Sequence, residues 1–218
     1  MKALSNIEVC EIDKKLSHDF ILNKHYAQRL PSISWCFGLF IGGSLEGVLT
    51  IGKPASNALC DGICGKDFKS YVYELNRLIV NADLPKNTLS MFVSKVIKLL
   101  KKENLILVSY ADEGVGHQGY IYQATNFIYT GKTKERTDKY TEVGKHSRHY
   151  NNENNHLRKF RSSKHRYVYF VGKMKSIFIE NLNYSVEEYP KGVNSKYILG
   201  DRVKDKIINK DTGEIFYQ

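Results

Sequence analysis

Cysteine is scarce. Cys10, Cys36, Cys60 and Cys64 are the four in 218 residues, which does not make a secreted disulfide framework in a chain this long, so reduced thiols are expected. Cys60 and Cys64 are separated by three residues in a predicted loop, and no second pair or histidine pair completes a zinc site of the usual spacing. Long apolar runs are also missing. The most apolar stretch, Ile33 to Gly52, is split by Gly42-Gly43-Ser44 and contains Glu46, a pattern that fits a hairpin and not a membrane span. Met1-Lys2-Ala3 is followed by Asn6, Glu8 and Glu11, without the apolar core of a signal peptide, so a cytoplasmic location and no membrane partner are expected. There is no internal repeat. Acidic residues are in deficit: 23 Asp plus Glu oppose 33 Lys plus Arg, a formal charge of +10. That balance favours a polyanionic partner without naming it.

What is present is globular, and the length allows one substantial core with a tail. Ile7 to Ile12 alternates as a strand, and Asp13 is placed to cap a helix continuing to about Lys24. Trp35 to Ile41 and Leu45 to Gly52 form the hairpin, and Tyr71 to Val80 a further strand. An amphipathic helix from about Asn87 to Lys102 carries Leu89, Phe92, Val93, Val96, Ile97 and Leu100 on one stripe. Leu105-Ile106-Leu107-Val108 is too short for a helix and suits a central strand. His117 to Asn126 reads as a short helix, and Phe127-Ile128-Tyr129 as the next strand. The order implies a mixed α/β sheet flanked by helices, with a crossover between the Tyr71 and Leu105 strands. Both strands feed polar turns, so they are expected to separate near their carboxyl ends.

Residues 132–166 change character. Eleven Lys and Arg meet only Glu135, Asp138, Glu142 and Glu153, with Tyr140, Tyr150 and Phe160 interleaved. This reads as a basic insertion in a domain covering 1–174, suited to phosphate contacts with occasional stacking, and Lys159, Arg161 and Lys164 are its candidate contacts. Arg166 to Val171 resumes the sheet by alternation. Residues 175–218 read as a small β-rich extension ending in the hairpin-like Lys210-Asp211-Thr212-Gly213-Glu214.

Chemistry concentrates between Ser109 and Gly131, where a buried strand meets a glycine-punctuated turn and a short helix. Asp112 falls just past the strand, and Gly114, Gly116 and Gly119 allow close backbone approach to a ligand. Glu74, Asn76 and Arg77 share one strand, with Glu74 and Asn76 on one face and Arg77 on the other by simple alternation. Each also has a plain structural reading: a packed tyrosine at Tyr122, a turn cap at Asp112, an ion pair at Arg77.

Two resemblances emerge from these residues. Ile121-Tyr122-Gln123-Ala124-Thr125-Asn126-Phe127 looks like the last helix and strand of the GNAT acyltransferase fold, with Asn126 in place of a usual glycine. His25-Tyr26, the Gly38 to Gly52 hairpin, Lys53-Pro54-Ala55-Ser56, Glu74-Leu75-Asn76-Arg77-Leu78, Leu84-Pro85-Lys86-Asn87 and Ser109-Tyr110-Ala111-Asp112 occur together and in order. That set, over roughly residues 20 to 132, resembles the bacteriophage Mom family of DNA adenine-modifying proteins.

The resemblance implies a GNAT-like fold and an enzyme that converts adenine in double-stranded DNA to a carbamoylmethyl adenine, protecting phage DNA from restriction. It further implies acetyl-CoA as carbon donor and an associated iron. Tyr122 stands where many GNAT enzymes keep a general acid, and a phenol with pKa about 10 is protonated at neutrality. Tyr26, Glu74, Arg77 and Asp112 join it as implied catalytic residues, with Ser56, Ser109 and His117 in support. His25, Tyr26 and Asp112 would form a mixed N/O set for the metal. Lys86, Asn87 and Thr88, at a helix start lacking the usual glycine loop, would meet the cofactor phosphates through amides, dipole and charge. Two other readings stand beside this one: a conventional N-acetyltransferase acting on protein, RNA or a small amine, and a noncatalytic nucleic-acid-binding protein on the same scaffold.

Overall fold

The computed structural model describes residues 6–142, 152–193 and 198–218. A seven-stranded sheet runs through the molecule, built from β1 (Ile7–Glu11), β2 (Trp35–Ile41), β3 (Ser44–Gly52), β4 (Val72–Val80), β5 (Leu105–Asp112), β6 (Ile128–Lys132) and β9 (Lys164–Val171). Its spatial order is β1-β2-β3-β4-β5-β9-β6. Every pairing is antiparallel except β4 with β5. The α/β sheet is therefore mixed, with its one parallel pair at the centre. Gly42 and Gly43, both at positive φ, turn the β2–β3 hairpin as the sequence indicates.

Helix α2 (Thr88–Leu99) supplies the crossover and buries Phe92, Val93, Val96 and Ile97 against the sheet. Full burial of each such side chain stabilises by roughly 1.5–3 kcal/mol. Short α3 (Tyr120–Ala124) contributes Ile121 and Tyr122 to the same core. The opposite face is covered by α1 (Asn57–Cys64) and α4 (Lys175–Glu180), which bury Cys60, Ile63, Cys64 and Phe178 over Val72, Ile106 and Val168. Phe20 and Ile21 pack on Val48 and Ile79. No helix among the described residues is long and apolar enough to cross a membrane.

Several local expectations change. The span from Asp13 to Lys24 is helical to Lys24 as expected but irregular, a 3-10 stretch at Lys14–Ser17 widening to a π-helical turn at Phe20–Lys24. Asp13 caps the 3-10 stretch by accepting from the Lys15 amide at 2.7 Å. Cys60 and Cys64 lie on a helix and not in a loop. Ser56 caps it, and the spacing of Leu59, Cys60, Ile63 and Cys64 was its legible signal. The expected helix from His117 shrinks to α3 because Gly116 and Gly119 are left-handed.

The described parts of the basic segment form strands. Strands β7 (Arg136–Lys139) and β8 (Leu157–Arg161) pair with each other, and β10 (Lys206–Asn209) and β11 (Ile215–Tyr217) join them in a second sheet ordered β11-β10-β8-β7. Lys145, Arg148 and Tyr150 lie outside the described residues.

At Gly119, φ is +77°, and a Cβ there would meet the Tyr167 ring at 2.4 Å. Gly43 has φ +82° but open space around it. Gly119→Ala is therefore expected to cost about 2–4 kcal/mol in urea unfolding, against about 1 kcal/mol for Gly43→Ala. Equal losses would show that the Tyr167 contact yields freely.

Candidate active site where the central strands diverge

Strands β4 and β5 pair only from Val72↔Ile106 to Glu74↔Val108, although β4 continues to Val80 and β5 to Asp112. Past Glu74 the sheet opens, as the polar turns after both strands suggest. One carbonyl freed by the separation is satisfied internally, since Ser109 Oγ donates to Leu75 O at 2.9 Å. The opening lets groups from both faces of the sheet meet.

A β-bulge decides which groups these are. The β3–β4 register shifts between Thr50 and Ile51, so that Thr50 faces Arg77 while Ile51 faces Leu75. The extra residue, Asn76, is held by Thr50 Oγ1, which donates to its Oδ1 at 2.6 Å. One added residue inverts the alternation, so Glu74 and Arg77 share the face of Val72 and Ile79. Simple alternation had placed Arg77 opposite Glu74, and the bulge corrects it.

Glu74 is set deep in the opening, and burial pushes its carboxyl above the usual range against the opposing pull of Arg77, Lys164 and Arg29. No hydrogen bond or ion pair from a described residue reaches that carboxyl. Arg77 spends Nη1 on Asn76 O at 2.6 Å and Nη2 on Arg29 O at 2.8 Å. Its Nε is buried with no partner among the described residues. Tyr122 reaches the opening from the other face, packed on Phe127 and Tyr167 with ring centroids 5.3 Å away in each case. Burial holds its phenol up at about 12, with a hydrogen bond to Ser109 opposing, so it carries its proton at neutrality. Sequence reasoning missed Tyr110 and Arg29 as neighbours of Glu74. Tyr110 lay inside a quoted motif, but nothing local marked Arg29.

His25 and Tyr26 cover this region. Their rings stack at 4.2 Å, and His117 meets Tyr26 edge-on at 6.0 Å. Burial, then the charges of Arg77, His117 and Lys164, lowers His25 to about 3. The Ala27 amide donates to its Nδ1 at 3.0 Å. A neutral ring accepting there carries its proton on Nε2 and keeps no lone pair for a metal.

Asp112 is equally committed. Its Oδ1 accepts from the Gly114 amide at 2.9 Å and from Ser162 Oγ at 2.5 Å, and its Oδ2 pairs with Lys164 Nζ at 2.7 Å. It ends β5 and caps the following turn, and does not lie beyond the strand. Among the described residues no group of three His, Cys, Asp or Glu side chains could hold a metal ion. The implied set of His25, Tyr26 and Asp112 therefore does not fit iron in this arrangement.

The proposed phosphate cradle is partly spent as well. Thr88 is buried, and both its amide and its hydroxyl bond to Pro85 O, at 3.2 and 2.6 Å. Lys86 and Asn87 are exposed, Asn87 in a left-handed conformation at the start of α2. Ser56 is the cap of α1, its hydroxyl oxygen accepting from the Leu59 amide at 3.2 Å.

The three basic candidates all have acidic partners. Lys159 pairs with Asp205, Arg161 with Asp138 at 2.8 Å, and Lys164 with Asp112. Clustered positive charge in the sequence is thus partly neutralised by acids from other elements.

The buried, neutral His25 makes stability pH-dependent. The unfolded imidazole binds its proton near 6.5, whereas the folded ring resists to about 3. Unfolding therefore takes up a proton across that interval, and stability falls as pH is lowered from about 6.5 towards 3, by at most about 1.4 kcal/mol per pH unit. His25→Gln is expected to flatten this slope in urea unfolding measured from pH 7 to 4. A slope unchanged by the substitution would assign the acid sensitivity elsewhere.

Comparison with known proteins places this geometry in context. The chain is similar to the methylcarbamoylase Mom of Escherichia phage Mu, 36% identical over 121 residues, covering 53% of this chain and 50% of that protein. The chain thus matches about half the length of that relative. Among solved structures it is similar to a Bacillus subtilis acetyltransferase in complex with CoA, at 16% identity and TM-score 0.44, covering 76% of this chain and 97% of the other. It is also similar to an N-acetyltransferase from Staphylococcus aureus, at 12% identity and TM-score 0.46, covering 76% and 98%. The Mom protein family model matches residues 6–191. The chain belongs to the Mom protein family.

Proposed function

We propose that this chain is a transferase that modifies adenine in double-stranded DNA to a carbamoylmethyl adenine, inside a host cell and to the benefit of phage DNA against restriction. The observation that carries the reading is the cluster of Glu74, Arg77 and Tyr122 gathered where β4 leaves β5, in a chain of the Mom protein family. The amino group of adenine is buried in its base pair, so the base must be extruded to reach such a recess. The GNAT resemblance supports acetyl-CoA as donor. At the reacting end Tyr122 lies beside Ser109 and within reach of the Glu74 charge, whereas at α2 Thr88 is already bonded to Pro85. An acyl thioester held there would supply the two-carbon unit with the thiolate as leaving group, while the amide nitrogen and the two-electron oxidant needed to bond the methyl carbon to adenine would come from further co-reactants. Tyr122 keeps a proton on its hydroxyl beside Ser109, and Lys86 and Asn87 remain open to phosphate. Iron enters no step, because the residues that would hold it are otherwise bonded.

DNA would be held chiefly through its phosphates by the basic strands β8 and β9, with Arg161 and Lys164 giving some of their donors to phosphate while keeping their acids. Mass spectrometry of nucleosides from DNA of cells expressing the chain tests the reading. A carbamoylmethyl adenine is expected. A plain acetyl group on protein, RNA or a small amine, with no DNA adduct, would favour a conventional N-acetyltransferase, and DNA binding with no product would favour a noncatalytic binder.

Tyr122→Phe keeps the ring contacts and removes the proton, so adduct formation is expected to fall about 100-fold or more with little change in unfolding free energy. Asp112→Asn is expected to lower both, losing about 1 kcal/mol of stability with the cap and the Lys164 pair. Full activity in Tyr122→Phe would remove the phenol from the chemistry. For binding, Arg161→Gln with Lys164→Gln should flatten the slope of log affinity against log salt by about 2. An unchanged slope would take both residues out of the interface.

A further inference from the structure

Within the opening the protein leaves two polar groups unmet. The Glu74 carboxyl accepts nothing from a described residue, and the buried Arg77 Nε–H donates to none. The bulge at Asn76 puts them on one face of β4, and the charges of each reach the other. A donor withdrawn from water without a partner is costly, and such a donor beside a carboxylate with no hydrogen bond of its own is complementary to a ligand presenting the reverse. Adenine presents that reverse pattern, an exocyclic amino donor next to a ring-nitrogen acceptor. The stacked His25 and Tyr26 rings close one side of the region with a flat aromatic surface.

We propose that Glu74 and Arg77 read the base: the Glu74 carboxylate accepts from the exocyclic amino group and Arg77 Nε–H donates to the adjoining ring nitrogen. The inference rests on the DNA-modifying reading above and adds to it a source of base selection. It makes Glu74 a specificity residue rather than a proton acceptor. A base with an oxo group at the same position places oxygen against the carboxylate and N–H against Arg77, so it mismatches both. Glu74 makes no hydrogen bond or ion pair with a described residue, and burial opposes its charge more than Arg77, Lys164 and Arg29 favour it, so replacing it should not destabilise the fold.

The test compares two duplexes that differ in one base, adenine or hypoxanthine, each opposite an abasic site so that extrusion is easy. Binding is measured at pH 8, which favours the carboxylate. The wild-type protein is expected to prefer adenine about tenfold, the size of one good base contact. Glu74→Gln presents an amide that can turn its N–H₂ to the oxo group, so its preference should shrink to within about twofold through tighter binding of hypoxanthine. Glu74→Ala should lose the preference through weaker binding of adenine, with thermal unfolding unchanged in both variants. A tenfold preference retained in Glu74→Gln, or equal weakening for both bases, overturns the proposal. If cells make the adenine adduct while the wild type does not distinguish the two bases, this inference fails and the DNA-modifying reading survives. If neither adduct nor duplex binding is found, both fall.

Discussion

The separation of β4 from β5 after Glu74 is the constraint on which the candidate site depends. A parallel pair held to its end would satisfy its backbone and leave a closed, featureless sheet. Here the pairing stops after Glu74↔Val108, and Ser109 Oγ bonds Leu75 O in place of a ladder partner. The resulting gap admits Tyr122 from the α3 side and Glu74 with Arg77 from the other. Helix α3 is anchored for this by Gly119 lying flat on Tyr167, so the position of Tyr122 depends on a contact in which no other residue's side chain would fit.

Electrostatics around the gap are one-sided. Arg29, Arg77 and Lys164 bear on Glu74, and Arg77 and Lys164 also help keep His25 neutral. Lys164 is shared: it pairs with Asp112, which in turn fixes the turn after β5 through Gly114 and Ser162. This bonding suits a structural Asp112 more than a metal-ligating one, and the tautomer of His25 points the same way. The two residues sit near one another's electrostatic neighbours, yet each is already satisfied by backbone or ion pair.

The second sheet links the two basic regions of the sequence. Strand β8, from the basic segment, pairs with β10 from the C-terminal extension, and Asp205 bridges Lys159 and Arg202 beside that seam. Gly200 meanwhile bonds Lys24 and Gln28, close to His25 and Tyr26. The extension thus touches both the segment over the opening and the strands that would meet phosphate.

The sequence by itself determined the mixed sheet, the β2–β3 hairpin, the apolar stripe of α2 and the crossover that makes β4 and β5 parallel, because these follow from local periodicity and turn chemistry. It also marked Glu74 and Arg77 within one strand, Asp112 at a strand end and Tyr122 in a short helix. Helix α1 was legible in Ser56 and the spacing of Leu59, Cys60, Ile63 and Cys64 but was obscured by reading the cysteines as a pair in a loop. Tertiary structure alone decided the rest. The Asn76 bulge depends on how β3 packs against β4, and it moved Arg77 onto the face of Glu74. Asp205 and Asp112, the acids opposite Lys159 and Lys164, lie outside the basic segment, so charge counting within it could not reveal them, whereas Asp138, opposite Arg161, lies inside it. Register and long-range pairing are set by which surfaces bury together, and that information is not local to any segment.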